Sequence, residues 1–378
     1  MQNQIQKYEK LDMNVSLMRI IACLIVIGCH VRISPIIGDS INKPILYLHD
    51  FFDDGVAIFF CIVGFFLYNN KSYKNLWKKA VKNILIPAFL LTMISILLSK
   101  FIEGASLLNS IKDSELNFGV LLRDFVSIDL KNHNFTGHLW YITSYFELII
   151  FFPVTKLIIN EYEKGNKNIL NWVLGIGIFD LVVNDVQALY MLPCGEITVH
   201  EIFPTPQLLC LIGYRIYIEK DKIKNNKKCR IFGLLGMLVA NTIRFFAQYD
   251  LLKKDVNNEY FYYWRTAVGC AFTISFILFF LSFDMKNRNI KIIINYIGAQ
   301  TFFIYLIHML TYAIVDKYFG RENIIQFWGD GTKGLIIYCI MYPIIIFGIA
   351  LGIKSTRDLI CYGLKLIGSK MWGNNNEM

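Results

Sequence analysis

The sequence contains few charged residues for its length. Of 378 residues, only 18% are Asp, Glu, Lys or Arg, whereas 55% are hydrophobic. A soluble domain carries about 25% charged residues and about 45–50% apolar ones, so this composition excludes an ordinary soluble protein. The hydrophobic residues fall into separate blocks of about 20, which is the length that a helix needs to cross the hydrocarbon of a bilayer.

Several other patterns are absent from the sequence. Nine cysteines are present, but none forms a Cys-x-x-Cys pair or another zinc-binding spacing, and we therefore predict no metal site. Polar residues from Gln2 to Asn14 precede the first hydrophobic block without a small-residue cleavage site, so a cleavable signal is not predicted. Because no Pro-, Gly- or Ser-rich linker and no internal repeat occurs, we expect one membrane domain over residues 1–378.

Ten hydrophobic blocks predict an all-α polytopic membrane protein. The sixth block is short for a membrane span, and the other nine approach or reach the required length. The predicted spans are residues 15–37, 51–68, 84–102, 139–159, 169–192, 207–218, 231–249, 261–283, 292–315 and 334–353.

Basic residues are distributed unevenly between the connections of these spans. If the N-terminus is cytoplasmic, the four inner connections (69–83, 160–168, 219–230 and 284–291) contain sixteen Lys and Arg. The five outer connections contain nine, although together they are about twice as long. Because Lys and Arg are retained on the cytoplasmic side, both termini are predicted to be cytoplasmic. The net charge of +9 is therefore the usual topological bias, and no binding of nucleic acid is predicted.

Two ionisable residues of the first predicted span are candidate functional residues, because such groups are costly inside a membrane. Arg19 and His30 are 11 residues apart, close to three helical turns, so they share one face at a separation of roughly 16 Å. Arg19 lies toward the cytoplasm and His30 toward the outer half. In the structural alternative, Arg19 extends to lipid headgroups and His30 makes a hydrogen bond between helices.

Two further histidines lie at the outer side of the membrane. His138 begins the fourth predicted span, and His308 lies in the outer half of the ninth. A neutral imidazole can take a proton from a hydroxyl near pH 7, so His30, His138 and His308 at similar depth predict a catalytic site. The histidines of the outer connections are assigned no role; they are His49, His133 and His200.

Cationic residues near the inner side predict a site for an anionic cosubstrate that enters from the cytoplasm. The candidates are Arg19, Lys82 and Arg215. The positive-inside bias alone also accounts for Lys82, whereas Arg215 interrupts an apolar stretch.

The fifth predicted span contains an acidic residue near mid-membrane, Asp180, on one helical face with Asn184. A buried carboxylate needs a partner, and we expect a cation such as Arg244 or Arg265 to provide it. The alternative role for Asp180 is to orient a catalytic group.

Five short motifs occur in order along nearly the whole chain. They are Arg19, Ala22 and His30; Gly55 to Phe65; Lys78, Lys79 and Lys82 before Pro87; His138-Leu139-Trp140-Tyr141 with Pro153; and Gly298, Thr301, Phe302, Ile304, Tyr305, Leu306 and His308. These motifs resemble those of the membrane-bound acyltransferase-3 family. Two positions differ from the family pattern: Ala57 replaces a polar residue or Pro, and Val63 replaces a Ser.

The resemblance implies an enzyme of the bacterial cytoplasmic membrane. Such enzymes take an acyl group, usually acetyl, from cytoplasmic acyl-CoA and transfer it to a hydroxyl of a cell-surface polysaccharide (capsule, wall or exopolysaccharide) or its precursor. Acetyl-CoA would thus be the donor, and the partners would be a glycan acceptor and the lipid bilayer.

The resemblance also implies roles for the candidate residues. His30 would be the general base or the group that first accepts the acyl chain, and both alternatives remain open. The remaining roles are binding of the CoA phosphates by Arg19, Lys82 and Arg215, acceptor contact or proton movement by His138 and His308, and orientation of His308 by Tyr305.

Two other functions compete with acyl transfer. A polytopic carrier or exporter of glycans or acyl groups also has charged residues at mid-membrane, but the inverted repeats with broken helices that favour a carrier are not found. A glycan polymerase would present a large external loop with paired Arg or acidic residues. The connection 103–138 contains only Lys112, Arg123 and Lys131 as basic residues, which makes a polymerase the weaker alternative.

Overall fold

The computed structural model of this protein is almost entirely helical. It describes residues 6, 8–31, 33–37, 40–104, 106, 108–109, 118–190, 203–254, 260–262, 264–284, 286–329 and 331–373, with side chains as far as residue 360. Within these residues the β-structure is one antiparallel pair, β1 (Ile36–Ile37) and β2 (Ser40–Ile41). The predicted all-α fold is therefore confirmed.

Fifteen α-helices have their bounds within the described residues, and they are numbered in chain order. A π-helical turn, Val81–Leu85, joins α4 to α5, and a 3-10 turn, Gly137–Leu139, directly precedes α7. The helices are α1 (Met13–Val31), α2 (Lys43–Phe51), α3 (Gly55–Leu67), α4 (Tyr73–Ala80), α5 (Ile86–Ile102), α6 (Phe118–Ser127), α7 (Trp140–Glu163), α8 (Lys167–Tyr190), α9 (Thr205–Tyr217), α10 (Lys220–Ile223), α11 (Lys227–Lys254), α12 (Ala267–Leu281), α13 (Arg288–Phe319), α14 (Arg321–Phe327) and α15 (Gly331–Gly373).

Seven helical segments of the described residues are long and apolar enough to cross a membrane. Each overlaps one predicted span, and large apolar side chains such as Leu157, Phe179 and Phe232 are exposed on them. Contact with lipid tails, which are as apolar as Leu, accounts for these exposed side chains. The predicted polytopic membrane protein is confirmed. The seven segments are Met13–Val31, Tyr73–Ile102, Gly137–Glu163, Lys167–Tyr190, Lys227–Lys254, Arg288–Phe319 and Gly331–Ile360.

The other three predicted spans coincide with shorter helices. α3 and α9 have 13 residues each, and α12 has 15. A 13-residue helix is about 20 Å long, which is less than the roughly 30 Å of hydrocarbon. α9 is nevertheless shielded from lipid, since every residue from Thr205 to Tyr214 is buried. Irregular backbone beside such a helix is tolerated at membrane depth because protein surrounds it.

Several predicted boundaries differ from the observed ones. α1 ends at Val31 rather than at residue 37, because Ile36–Ile37 form β1, and α12 begins at Ala267 rather than at residue 261. The span predicted to start at residue 51 starts at Gly55, because residues 52–54 form a turn between α2 and α3. The span predicted to start at residue 84 belongs to a helical segment that starts at Tyr73. There the Ser72 side chain accepts a hydrogen bond from the Asn75 backbone N–H and caps the helix. Residues 191 and 192 of the fifth predicted span lie outside the described residues.

The last helix is much longer than the predicted span 334–353. α15 contains 43 residues, which corresponds to about 65 Å at 1.5 Å per residue. This length exceeds the thickness of the hydrocarbon by about a factor of two. α15 therefore continues beyond the membrane on the side of the C-terminus, where Lys354 forms an ion pair with Asp358.

A buried ion pair connects the turn before α3 to α11. Arg244 Nη2 donates to Asp54 Oδ1 at 2.8 Å, and Arg244 Nη1 donates to the Asp50 backbone oxygen at 2.8 Å. The side chains of Arg244 and Asp54 are 1% and 0% exposed, so each charge depends on the other for its compensation. Arg244, one of the two cations predicted to pair with Asp180, thus pairs with Asp54.

Candidate active site

The three histidines predicted at the outer side of the membrane lie together. Their ring centroids are 5.2 Å apart for His30 and His308, 4.6 Å for His138 and His308, and 6.3 Å for His30 and His138. His138 and His308 are buried, whereas His30 is partly exposed. α1, the turn before α7 and α13 each contribute one imidazole to this group, which we call the histidine cluster.

Small residues bring α1 and α13 close together. A Cβ at Gly298 would lie only 2.7 Å from the Cβ of Ser16, so the two helices approach closely because Gly298 has no side chain. Further along, Cys23 Sγ donates to the Thr301 backbone oxygen at 3.8 Å. The contact residue moves from Ser16 to Cys23 along α1 and from Gly298 to Thr301 along α13. The two helices therefore run parallel. His30 and His308 lie beyond these contacts on the same pair.

Tyr305 and the backbone hold His138 in the cluster. The Leu139 backbone N–H donates to the Thr136 oxygen at 2.8 Å and forms the 3-10 turn that contains His138. The Tyr305 hydroxyl donates to the His138 backbone oxygen. The Tyr305 ring centroid lies 5.2 Å from that of His138 and 5.8 Å from that of His308. Tyr305, predicted to orient His308, thus contacts both histidines.

Two backbone carbonyls determine which imidazole nitrogens carry protons. His308 Nδ1 lies 2.6 Å from the Tyr305 backbone oxygen, and His138 Nε2 lies 3.2 Å from that of Leu306. Because a carbonyl oxygen only accepts hydrogen bonds, each of these nitrogens is the protonated donor. In a neutral ring the other nitrogen then carries a lone pair. These nitrogens, His308 Nε2 and His138 Nδ1, are buried and have no hydrogen-bond partner among the described residues.

A cavity of about 350 Å³ extends from Tyr305, whose ring contacts His138 and His308, toward the connection between α3 and α4. We call it the inner cavity, and its lining is mainly apolar. Tyr305 lines it and also contacts the cluster, while Asn70 lies at its other end. Val63, one of the two departures from the family pattern, lines it too, so the wall is apolar where a Ser would provide a hydroxyl.

A second cavity, of about 520 Å³, lies at the inner ends of the helices, where the chain begins. We call it the inner vestibule. Lys220 donates to the Tyr217 hydroxyl at 3.0 Å, and this hydrogen bond raises the pKa of Lys220. Lys224 pairs with Asp284 at 3.1 Å. The charged residues that line the vestibule are Lys10, Arg19, Lys220, Lys224, Lys291, Asp12, Asp221 and Asp284.

Arg19 lies where the inner vestibule meets the inner cavity. Arg19 and Phe66 line both spaces, and the guanidinium carbon of Arg19 is 5.7 Å from the centroid of the Phe66 ring. A guanidinium is always charged and presents a planar fork of donors to phosphate oxygens. Arg19 is therefore placed to hold a phosphate of a ligand that reaches from the vestibule into the cavity.

The other two predicted phosphate-binding cations lie elsewhere. Lys82 is exposed in the π-helical turn. Arg215 is half-buried on α9, where it pairs with Glu219 at 3.4 Å and lies 5.6 Å from the centroid of the Tyr162 ring. Neither Lys82 nor Arg215 lines the vestibule or the inner cavity that the described residues form.

Asp180 is buried in α8, a helix that contributes none of the three imidazoles of the histidine cluster. Its neighbour Asp185 accepts hydrogen bonds from the Tyr260 hydroxyl at 3.1 Å and the Ala267 backbone N–H at 3.0 Å. The acidic face of α8 is thus connected to the start of α12. The predicted role of Asp180 in orienting a catalytic group stays a prediction.

A group of ionisable residues that received no role from the sequence lies beside α1. His49, Asp50 and Asp53 are buried and each brings one potential ligand atom to within 4.8 Å of the others. Asp53 Oδ1 also lies 3.9 Å from the Sγ of Cys29, the residue before His30. These three residues could hold a metal ion, although no metal site is predicted from the sequence. The sequence signal that could have identified this group is that several ionisable residues adjoin a membrane span, where burial of such residues is costly.

Comparison with known proteins adds one finding. A family model described as an acyltransferase domain matches residues 13–353. The match includes the three helices or turns that contribute the histidine cluster. No curated protein and no solved structure matches the chain.

Proposed function

This chain belongs to the acyltransferase-3 family, and we propose that it is a membrane O-acyltransferase that transfers an acetyl or similar short acyl group from cytoplasmic acyl-CoA to a hydroxyl of a bacterial cell-surface polysaccharide. Family membership supports acyl transfer by a membrane protein. The observation that carries the finer proposal is the series of spaces that leads from the inner vestibule, past Arg19, to Tyr305, whose ring contacts His138 and His308.

The inner vestibule would bind the nucleotide end of acyl-CoA. Its lysines supply positive charge for the phosphates, and the Tyr217 hydrogen bond holds the Lys220 ammonium group in the vestibule. Charge-assisted hydrogen bonds of this kind are about twice as strong as those between neutral groups. Arg19, at the entrance to the inner cavity, would hold the phosphate nearest to the acyl arm.

The inner cavity would hold the acyl arm. Its mainly apolar wall suits a thin, largely uncharged chain, and it ends at Tyr305, whose ring contacts His138 and His308. A thioester at this end would lie beside the histidine cluster. Water is a competing acceptor for the acyl group, and the apolar wall would limit its access.

In the direct reaction, the acceptor hydroxyl oxygen attacks the thioester carbonyl carbon. The carbon–sulfur bond breaks, the ester forms, the hydroxyl proton passes to an unprotonated imidazole nitrogen, and the CoA thiolate then takes up a proton. His30 is the partly exposed member of the cluster and would take the proton from the hydroxyl. Either His308 Nε2 or His138 Nδ1, whose partner nitrogens donate to backbone carbonyls, would then accept this proton from His30.

The cluster also permits a two-step reaction. An imidazole nitrogen first attacks the thioester carbon and takes the acyl group as the carbon–sulfur bond breaks, and the hydroxyl then displaces the imidazole. Both routes form the same ester and release the same thiol. They differ in whether labelled acyl group stays on the protein when acyl-CoA is supplied without an acceptor.

The first experiment measures ester-linked acetate on purified envelope polysaccharide. Three strains are compared: cells with the native chain, cells with His30→Ala at a matched level in the membrane, and cells without the protein. We expect the protein-dependent ester only with the native chain, because His30→Ala removes a nitrogen that transfers the proton or the acyl group.

The same comparison separates the competing functions. Equal acetate in all three strains would show that acetyl transfer to this polymer is wrong. Full activity of His30→Ala would preserve acyl transfer but exclude an essential role for His30. Release of CoA from acetyl-CoA by purified native protein distinguishes an enzyme from a carrier, since a carrier leaves the thioester intact.

A further inference from the structure

A third cavity, of about 610 Å³, lies at the outer ends of the helices, opposite the inner vestibule. We call it the outer cavity. One face of α7, including Trp140, Ser144 and Glu147, forms one wall. Gln207 near the start of α9 and Arg265 just before α12 complete it. Neither the histidine cluster nor the inner cavity uses these side chains.

We propose that the outer cavity is a carbohydrate-binding subsite that holds a sugar unit of the acceptor next to the unit that is acylated. This proposal rests on the proposed function, because it assigns the place of the polysaccharide in the same reaction. It specifies an uncharged, hydroxyl-rich segment as the occupant.

An aromatic surface forms one side of the outer cavity. Trp140 lines it and stacks on Trp264, with ring centroids 6.0 Å apart and planes inclined by only 7°. Trp264 is buried, and the guanidinium carbon of Arg265 lies 5.1 Å from its ring centroid. The stacking holds the Trp140 ring in one orientation. A rigid aromatic face with a few polar groups around it is the usual composition of a small-ligand site, and it suits the apolar face of a sugar ring.

A buried polar group in the cavity wall needs a hydrogen-bond donor. Gln207 is 2% exposed, and its Oε1 has no hydrogen-bond partner among the described residues. Leaving a buried acceptor unpaired is costly, and few native groups remain so. A sugar hydroxyl can donate to Gln207 Oε1 and accept from a neighbour at the same time. Ser144, which is also buried and lines the cavity, provides such a neighbouring hydroxyl.

The charges around the outer cavity favour a neutral ligand. Lys131 and Arg265 are basic and Glu147 is acidic, and Lys131 is paired with Asp129 at 3.8 Å. The inner vestibule has a larger excess of positive charge, because five basic side chains line it beside three aspartates, Asp12, Asp221 and Asp284. A polyanion is therefore better matched by the vestibule, and a neutral polyhydroxyl segment by the outer cavity.

Aromatic side chains separate the outer cavity from the histidine cluster. Trp264 contacts Phe60 with centroids 5.3 Å apart, and Phe60 contacts Tyr141 at 4.8 Å. Tyr141 in turn lies 5.7 Å from Tyr305, which contacts the cluster. Trp140 itself is two residues from His138 in the chain. A sugar in the outer cavity is thus near the reacting centre but not in it, and its contacts contribute to acceptor binding rather than to the chemical step.

The test uses purified full-length protein in nanodiscs, where both faces are accessible. The acceptor is envelope polysaccharide from the same cells after mild alkaline removal of its esters, and the initial rate of ester formation is measured against its concentration. The variants are Gln207→Met, which keeps the volume but removes the acceptor oxygen, and Trp140→Ala. Gln326→Ala and Trp328→Ala are matched controls, because both residues lie outside the lining of the outer cavity.

We expect the KM for polysaccharide to rise about threefold to tenfold in Gln207→Met, as for loss of one hydrogen bond. In Trp140→Ala it should rise about tenfold or more, as for loss of an aromatic anchor from a binding site. We expect kcat to stay unchanged, because contacts that bind the acceptor equally well in the ground state and the transition state affect KM only. Gln207→Met should unfold at the native temperature or above, because an unpaired buried group is removed.

Each result decides one point. Unchanged KM in both cavity variants, with transfer by the native protein intact, would overturn the subsite and leave the proposed function standing. A rise in KM that also occurs in Gln326→Ala and Trp328→Ala would overturn it as well. Absence of ester formation by the native protein would refute the proposed function itself, and the subsite with it.

Discussion

At the scale of single residues, backbone carbonyls rather than acidic side chains orient two of the three histidines. His308 donates from Nδ1 to Tyr305, and His138 donates from Nε2 to Leu306. A carbonyl partner holds the ring and its tautomer without adding a negative charge that would favour the protonated imidazole. The opposite nitrogens are left unprotonated, as a proton acceptor requires.

His308→Gln tests this arrangement. Gln keeps a polar side chain of similar reach but has no titratable nitrogen, so the rate of ester formation should fall by about 10²–10⁴-fold, the usual contribution of general acid–base catalysis. The control is His133→Gln, because His133 pairs with Asp124 at 2.7 Å in the connection before α7, outside the histidine cluster. Native activity in His308→Gln at native membrane level would contradict a catalytic role.

Of the three cations predicted to bind phosphate, Arg19 lines both the inner vestibule and the inner cavity, whereas Lys82 and Arg215 line neither. Arg19→Met should raise the KM for acyl-CoA by about tenfold to a hundredfold, the range for loss of a hydrogen bond to a charged group. Lys82→Met and Arg215→Met should change it little, since Lys82 is exposed and Arg215 is paired with Glu219. Initial rates at varied acyl-CoA concentration measure all three. Equal increases in the three variants would indicate a general effect of positive charge.

At the scale of helices, the packing of α3 against α9 depends on reciprocal small residues. A Cβ on Gly64 would overlap the backbone oxygen of Cys210, and a Cβ on Gly213 would overlap that of Cys61. Helices in membranes associate through such close backbone approach, because lipid provides no hydrophobic drive for larger residues to pack. These two 13-residue helices thus form one tightly packed pair inside the protein.

Gly64→Ala and Gly213→Ala should therefore destabilise the protein. The added methyl meets backbone, which moves less readily than a side chain, and the expected cost is about 1–3 kcal/mol each. Thermal unfolding of the purified protein in detergent measures it. Gly348→Ala in α15 is the matched control, because a Cβ there meets nothing within 4 Å. Equal unfolding temperatures for all three variants would show that the α3–α9 contact tolerates separation.

At the scale of the whole molecule, the inner vestibule and the outer cavity lie at opposite ends of the helices. The inner vestibule is formed where α1 and α13 begin and where α9 and α12 end. The outer cavity is formed where α7 and α9 begin. In the proposed function, this arrangement would give one molecule separate access for the donor from the side of the termini and for the acceptor from the other side.

Sidedness of the reaction follows from this arrangement. Acyl-CoA does not cross a bilayer, so release of CoA should occur when acyl-CoA is added to inverted membrane vesicles and not when it is added to right-side-out vesicles. Permeabilising the right-side-out vesicles should restore it, which controls for the amount of active protein. Equal release by both kinds of intact vesicle would contradict a cytoplasmic vestibule.

The membrane fold and the grouping of the three candidate histidines could be predicted from the sequence. Hydropathy and the retention of Lys and Arg are properties of each residue and its near neighbours, so their sums locate the spans without knowledge of the contacts. The helical period likewise places Arg19 and His30 on one face. The sequence therefore determined the all-α polytopic fold, and it identified three histidines that the structure brings together.

The contacts between distant segments were decided only by the tertiary structure. His138 and Leu306 are 168 positions apart, yet their hydrogen bond selects the tautomer of the ring. The separation of Arg19 from Lys82 and Arg215, the pairing of Arg244 with Asp54 and the outer cavity around Gln207 also depend on which helices become neighbours. Helix packing settles these features, because burial and hydrogen-bond partners are properties of the assembled fold rather than of any one segment.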